Sequence, residues 1–119
     1  IFNALLATLD PGDEVIIPTP YWVSFADIVN YAGGASVFVP SSEESGFAVS
    51  ADAIAAHITP KTKAIIINSP SNPSGAVIPT DELKRIFQLA RERGIWILAD
   101  ECYCRFLYDS EPFSLASLE

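Results

Sequence analysis

Three runs of apolar, largely β-branched residues constrain the fold of this chain more than any other feature. The run at residues 64–67 lies between Lys63 and a cluster rich in Pro, Ser and Asn. A run of this length with no polar alternation is typical of a strand buried on both faces. Residues 15–17 and 95–99 have the same character. We therefore expect three buried strands here, with another strand at residues 36–39.

Helical patterns separate these strands. The clearest lies between Pro79 and Gly94, because acidic residues fill its first turn, arginines fill its last and glycine ends it. Ser50 is placed to cap a short helix that ends near residue 57. We predict two further helices, one at the start of the chain and one at about residues 22–32. The inward residues expected for the three longer helices are Phe2, Leu5, Leu6 and Leu9; Val23, Ala26, Ile28 and Val29; and Leu83, Ile86, Phe87 and Ala90.

Strands and helices alternate at a spacing of roughly 30 residues, which predicts right-handed crossovers and a parallel sheet, hence an α/β fold. The chain of 119 residues has the length of one small domain. It opens inside a predicted helix without an initiator Met, and it ends without a polar tail. We therefore expect residues 1–119 to be an internal part of a larger domain, truncated at both ends.

Composition excludes several classes of function. The net charge is −8 and the sequence has no basic stripe, which argues against binding of DNA or RNA. It also lacks an apolar stretch of the roughly 20 residues that cross a bilayer. Cys102 and Cys104 are expected to be free thiols of a reducing cytoplasm. His57 is expected at a helix end, and with no second ligand nearby we predict no metal site.

Four residues with complementary chemistry follow the predicted strands. Trp22 comes after the first, Asn72 after the third, and Asp100 with Tyr103 after the fourth. In an open parallel sheet, ligands bind outside the carboxyl ends of the strands. An indole for stacking, two neutral donors and an anion suit a flat aromatic ring with a protonated nitrogen, which predicts pyridoxal 5'-phosphate.

Three of these four residues also have an ordinary structural interpretation. Asp100 follows five apolar residues, where an unpaired charge is costly, so it needs a cationic partner. It could instead cap a turn or bind Mg²⁺. Trp22 could simply pack a helix on the sheet, and Asn72 could be a turn residue only. The prediction therefore depends on the four residues occurring together.

Three segments carry a resemblance to a known family. Residues 18–22 (PTPYW), 68–75 (NSPSNPSG) and 99–103 (ADECY) are similar to the central blocks of class I and II aminotransferases, which are fold type I pyridoxal-phosphate enzymes. The resemblance covers the whole chain and is strongest to the bacterial aspartate aminotransferase branch. It implies a three-layer α/β/α arrangement, with this chain in the central part of the large domain, and a cofactor site at a homodimer interface.

The resemblance also implies roles for the four residues. Trp22 would stack on the cofactor ring, Asn72 and Tyr103 would bind its 3-oxygen, and Asp100 would pair with its pyridine nitrogen. It suggests that the Thr19-Pro20 and Asn72-Pro73 bonds are cis. Two positions depart from the family: Ser74 stands where Thr is usual, and Cys102 where an aliphatic residue is usual.

The chain lacks other parts that the family needs. The Schiff-base lysine, the substrate-binding arginine and most phosphate contacts would lie outside it, so we assign no catalytic residue within residues 1–119. Lys61, Lys63 and Lys84 do not match the lysine motif and are expected to be solvated. Arg105 is expected to be an exposed strand residue.

The function expected of the full-length protein is amino transfer between an aspartate-like amino acid and a 2-oxo acid in the cytoplasm. One alternative is a carbon–sulfur lyase with the same ring-binding residues. Another is a transcription regulator whose aminotransferase-like domain senses the cofactor while a separate winged-helix domain binds DNA. Sequence outside this chain would distinguish them.

Overall fold

The structure is a computed structural model that describes residues 1–118. Within that range the chain forms four strands, four α-helices and two short 3₁₀ turns. The strands are Glu14–Thr19 (β1), Ala35–Pro40 (β2), Thr62–Asn68 (β3) and Trp96–Asp100 (β4). The helices are Phe2–Thr8 (α1), Ser24–Tyr31 (α2), Ala51–Ala55 (α3) and Thr80–Arg93 (α4), and the 3₁₀ turns are Glu43–Ser45 and Leu115–Ser117. No helix in the described residues is long and apolar enough to span a membrane.

The four strands form one sheet in the order β2-β1-β3-β4. Every neighbouring pair is parallel, which confirms the predicted parallel sheet. The β3–β4 ladder runs from Ala64 opposite Trp96 to Asn68 opposite Asp100, so these two strands end side by side.

Alternating residues of the central strands face two separate cores. Val15 and Ile17 of β1 pack with residues of α1 and α2, including Leu5, Phe25 and Val29. Ile16 and the β3 residues Ile65 and Ile67 pack on the opposite face with residues of α3 and α4. Since both faces of β1 and β3 are covered by helices, their apolar runs need no polar alternation. The sheet is the middle layer of an α/β/α sandwich, as predicted.

Three expectations about burial are wrong. Strand β4 is not buried, because it pairs only with β3 among the described residues, and its Trp96 is 61% exposed. Val23 is 66% exposed because α2 begins after it, at Ser24, so that Phe25 takes the inward position beside Ala26 and Val29. In α1, Leu5 is buried whereas Phe2 and Leu6 are exposed.

The predicted start of α3 and the predicted end of α4 are confirmed. The Ser50 Oγ accepts a hydrogen bond from the Ala53 N–H at 3.1 Å and caps α3. Gly94 ends α4 with φ of +66°, a left-handed conformation that favours glycine. His57 follows α3, and its Nδ1 lies 2.8 Å from the Ala53 carbonyl oxygen, as expected of a residue at a helix end.

A charged network joins α3 to α4. The Glu82 carboxylate accepts a hydrogen bond from the Ala51 N–H, in the first turn of α3, at 2.8 Å. Arg85 contacts Glu82 on its own helix and Asp52 on α3, each at 2.7 Å. The Ala51 hydrogen bond, followed by that from Arg85, lowers the pKa of Glu82. Glu82 therefore serves as an N-terminal cap supplied from another helix.

We predict that Glu82→Ala in the full-length protein lowers the free energy of unfolding at pH 7 by about 1 kcal/mol, because the substitution removes the acceptor that caps α3. Because the folded-state pKa of Glu82 is lowered, its contribution is present above the unfolded-state value of about 4.3 and disappears as pH falls through the folded value. Urea unfolding across this pH range measures the difference. Glu92→Ala, on the exposed surface of the same helix, is the control. Equal losses in the two variants would contradict the capping role.

Candidate active site

A cavity of about 320 Å³ opens at the carboxyl ends of β1, β3 and β4. The four residues predicted from the sequence all line it. Two further residues complete its lining, which consists of Trp22, Asn68, Asn72, Asp100, Cys102 and Tyr103. The structure thus brings the four together at the predicted edge of the sheet.

The order of the strands explains the position of the cavity. The β1–β2 connection runs through α2 on one face of the sheet, whereas the later connections run through α3 and α4 on the other face. The winding direction therefore reverses between β1 and β3. The loops diverge at such a switch point and leave a crevice beyond the strand ends.

Trp22 stands at one side of the cavity and is 42% exposed. Its ring meets the buried Phe25 ring edge-on, at a centroid distance of 5.4 Å and an interplanar angle of 90°. Such contacts are favourable between aromatic side chains. The indole is therefore held by the core while much of its surface stays available to a ligand.

The loop after β3 carries Asn72. Its ends are joined by a hydrogen bond from the Ser71 N–H to the Ala76 carbonyl at 2.9 Å, and the Gly75 N–H donates to the Ser71 carbonyl at 2.8 Å. Gly75 has φ of +72°, which a residue with a side chain adopts only with strain. Within residues 1–118 no protein group forms a hydrogen bond with the Asn72 side-chain amide or with the Tyr103 hydroxyl.

Three peptide bonds near the cavity are cis. Thr19-Pro20 and Asn72-Pro73 were predicted to be cis, and the structure confirms both. Ser69-Pro70 is also cis, which the sequence analysis did not predict.

Asn68 is a cavity residue that the sequence analysis missed as a site residue. It ends β3, and its Nδ2 donates to the Asp100 carbonyl at 3.1 Å. Its Oδ1 accepts from the Asn72 N–H at 2.8 Å. The available signal was its place as the first polar residue after the buried run at 64–67.

The chain turns sharply after Asp100. The Asp100 Oδ1 accepts a hydrogen bond from the Cys102 N–H at 3.2 Å, and the Cys104 N–H donates to the Glu101 carbonyl at 3.0 Å. Cys102, Cys104 and Arg105 therefore lie in a turn; Arg105 is exposed as expected, but the strand position expected for it is wrong. Strand β4 ends at Asp100 because the ladder with β3 ends there.

The environment of Cys102 keeps its thiol protonated. Although the residue is largely exposed, partial desolvation of the thiol, followed by its hydrogen bond with the Asp100 carboxylate, raises the pKa of Cys102. Since the thiolate is the reactive form, this thiol is not an activated nucleophile.

The cavity presents one charge. Asp100 is the only residue charged at neutral pH among the described residues that line it. No group of metal-binding side chains occurs in residues 1–118. The site is therefore suited to a ligand that carries a positive charge opposite Asp100 and acceptors opposite Asn72 and Tyr103.

The described lysines lie away from this cavity. Lys61 and Lys63 are at the start of β3, about 20 Å from its carboxyl end along the strand. Lys84 is exposed on α4, where its Nζ lies 3.7 Å from Asp81 and 5.9 Å from the centre of the Phe113 ring. None of the three lines the cavity.

The family model of aminotransferases of class I and II matches residues 1–118. The chain belongs to this family. It is 46% identical over 113 residues to a probable aspartate/prephenate aminotransferase of Aquifex aeolicus. That alignment covers 95% of this chain and 29% of the relative.

Solved structures of the family agree with the fold. An aspartate aminotransferase from Thermus thermophilus with maleate is 45% identical, with a TM-score of 0.94 over 97% of this chain. An aromatic aminotransferase from Pyrococcus horikoshii is 43% identical, with a TM-score of 0.96 over 99% of this chain. The chain covers 30% and 32% of these two aminotransferases.

The Cys102 environment yields a prediction. In a Cys104→Ser background, which leaves one thiol in this turn, the pH midpoint for alkylation of Cys102 should lie above that of the same thiol in urea. Asp100→Asn should lower the midpoint, because it removes the anion beside the thiol. Mass spectrometry of the peptide that contains Cys102 measures its alkylation rate at each pH, and the midpoint is read from the dependence of that rate on pH. Midpoints that do not change with Asp100→Asn would show that the carboxylate does not act on this thiol.

Proposed function

We propose that the full-length protein is a pyridoxal-phosphate-dependent aminotransferase that transfers an amino group between an aspartate-like amino acid and a 2-oxo acid. Residues 1–119 would be the central part of its large, cofactor-binding domain. The observation that carries this proposal is the cavity that gathers the Asp100 carboxylate, the Trp22 indole and the unengaged polar groups of Asn72 and Tyr103.

The chemistry of the cavity fits the cofactor. A volume of about 320 Å³ is within the range of small-molecule sites and matches a single substituted ring better than a dinucleotide. The pyridine nitrogen can carry a proton opposite Asp100, and the ring oxygen can accept hydrogen bonds from Asn72 and Tyr103. Trp22 is available to stack on the ring.

Each residue then has a distinct task. With the cofactor bound, Asp100 would keep a proton on the pyridine nitrogen, because a neighbouring anion favours the protonated form. When bound, the cofactor supplies an electron sink that stabilises negative charge on the substrate carbon. Asn72 and Tyr103 would donate hydrogen bonds to the ring oxygen, and Trp22 would orient the ring by stacking on it. The proton transfers at the substrate require a base from outside this chain.

Two solved structures of relatives support the proposed substrate class. The Thermus thermophilus structure holds maleate, a four-carbon dicarboxylate like aspartate. An aromatic aminotransferase is nearly as similar to this chain. Because two proteins named for different substrates are 45% and 43% identical to this chain, we place the groups that select the amino acid outside residues 1–119.

The rest of the proposal concerns the assembly. The Schiff-base lysine and the substrate-carboxylate arginine would lie in other parts of the full-length chain, and a second subunit would complete the cofactor site in a homodimer. We propose a cytoplasmic location. The relatives named above are all aminotransferases, which favours amino transfer over the lyase and the regulator.

Two substitutions in the full-length enzyme distinguish the role of Asp100 from that of Trp22. Asp100→Ala should reduce turnover far more than Trp22→Phe, because phenylalanine keeps a stacking face whereas alanine removes the anion. Loss of one partner of a partly buried ion pair costs roughly 3–5 kcal/mol. Steady-state kinetics with aspartate and 2-oxoglutarate measure both variants. Equal losses in turnover would contradict the role of Asp100.

The isolated chain should not act as an enzyme. Purified residues 1–119 should show no transaminase activity and no absorbance change that reports covalent attachment of pyridoxal phosphate to a lysine. Without the anchoring lysine and the other subunit, few contacts remain. Exposed β4 should also favour association of this chain. Stoichiometric attachment at Lys61, Lys63 or Lys84 would show that the division of labour proposed for the chain is wrong.

A further inference from the structure

We infer that Asn68 is a positioning residue that fixes Asn72 and Asp100 relative to each other across the cavity. The inference rests on the proposed function and adds a residue to its site. Asn68 lines the cavity, ends β3 and forms hydrogen bonds with the backbones that carry two of the proposed ring-binding residues.

Both ends of the Asn68 amide are used. Asn68 lies opposite Asp100 in the β3–β4 register, at the last pair of the ladder. Its Nδ2 donates to the Asp100 carbonyl at 3.1 Å. Asp100 is the last residue of β4 that pairs with β3, so this bond extends the contact between the two strands beyond the ladder. Its Oδ1 accepts a hydrogen bond from the Asn72 N–H at 2.8 Å, and this bond holds the loop after β3 close to the end of the strand.

One planar group therefore determines two positions at once. A carboxamide has a donor and an acceptor on the same rigid plane, so it can satisfy an N–H and a carbonyl together. No other natural side chain of this length provides both functions. Aspartate retains the acceptor and loses the donor, and leucine matches the shape but has neither.

The same loop offers a matched control in Ser69. Its Oγ accepts a hydrogen bond from the Ile78 N–H at 3.0 Å, so it braces the loop with a bond of similar length. Ser69 does not line the cavity. If Asn68 served only to stabilise the loop, Asn68→Leu and Ser69→Ala should have similar consequences for ligand binding.

The test uses full-length protein and pyridoxamine phosphate, which carries an amine in place of the aldehyde and so reports non-covalent contacts alone. We expect the dissociation constant to rise about tenfold or more in Asn68→Leu and Asn68→Asp, and less than about twofold in Ser69→Ala. Calorimetry gives the constants, and thermal unfolding verifies that each variant is folded. Asn68→Asp keeps the experiment decisive if Asn68→Leu does not fold.

Hydrogen exchange in the cofactor-free protein gives a second measurement. Exchange of the Asn72 amide, resolved by mass spectrometry, should accelerate about tenfold or more in Asn68→Leu and change little in Asn68→Asp, which retains the acceptor. Unchanged exchange in Asn68→Leu, or a dissociation constant like that of Ser69→Ala, would overturn the inference while leaving the proposed function intact. If the wild-type protein does not bind pyridoxamine phosphate, the proposed function fails instead, and with it the ligand-positioning role of Asn68.

Discussion

The parallel pairing of β1, β3 and β4 determines where the helices pack and where the loops of the cavity lie. Because these strands run in one direction and are neighbours, the loops that leave them meet at one edge of the sheet. Their apolar runs are satisfied only when helices cover both faces, which α1 with α2 and α3 with α4 provide. The burial that stabilises the sheet therefore also determines where Trp22, Asn72 and Asp100 emerge.

The charge of Asp100 gives this edge its chemical character. A carboxylate at the end of an apolar strand is costly unless a cation or a hydrogen-bond donor compensates it. Within residues 1–118 the groups that reach it are the backbone N–H and the thiol of Cys102, and no salt bridge includes it. A protonated ring nitrogen of a bound cofactor would supply the positive charge that these residues do not provide to the Asp100 carboxylate.

Much of this arrangement could be predicted from residue patterns. Strand β3 and helix α4 could be predicted because, in both, the local sequence pattern favours the same structure as packing in the folded chain. The exposure of β4 could not be predicted, because the burial of a strand also depends on whether a further strand pairs with its free edge. The inward face of α2 was misjudged since a helix start shifted by two residues exposes Val23 and buries Phe25. Asn68 was missed because its role arises from β4 lying beside β3, a pairing that appears only in three dimensions.

A crystal structure of the full-length protein with pyridoxal phosphate would show whether the cofactor ring lies in this cavity. The proposed site predicts the pyridine nitrogen within about 2.7–2.9 Å of an Asp100 carboxylate oxygen, as expected of a charge-assisted hydrogen bond. It also predicts the Trp22 indole stacked on the ring, with Asn72 and Tyr103 bound to the ring oxygen. A ring nitrogen that faces a different group, or a cofactor bound away from the ends of β1, β3 and β4, would contradict it.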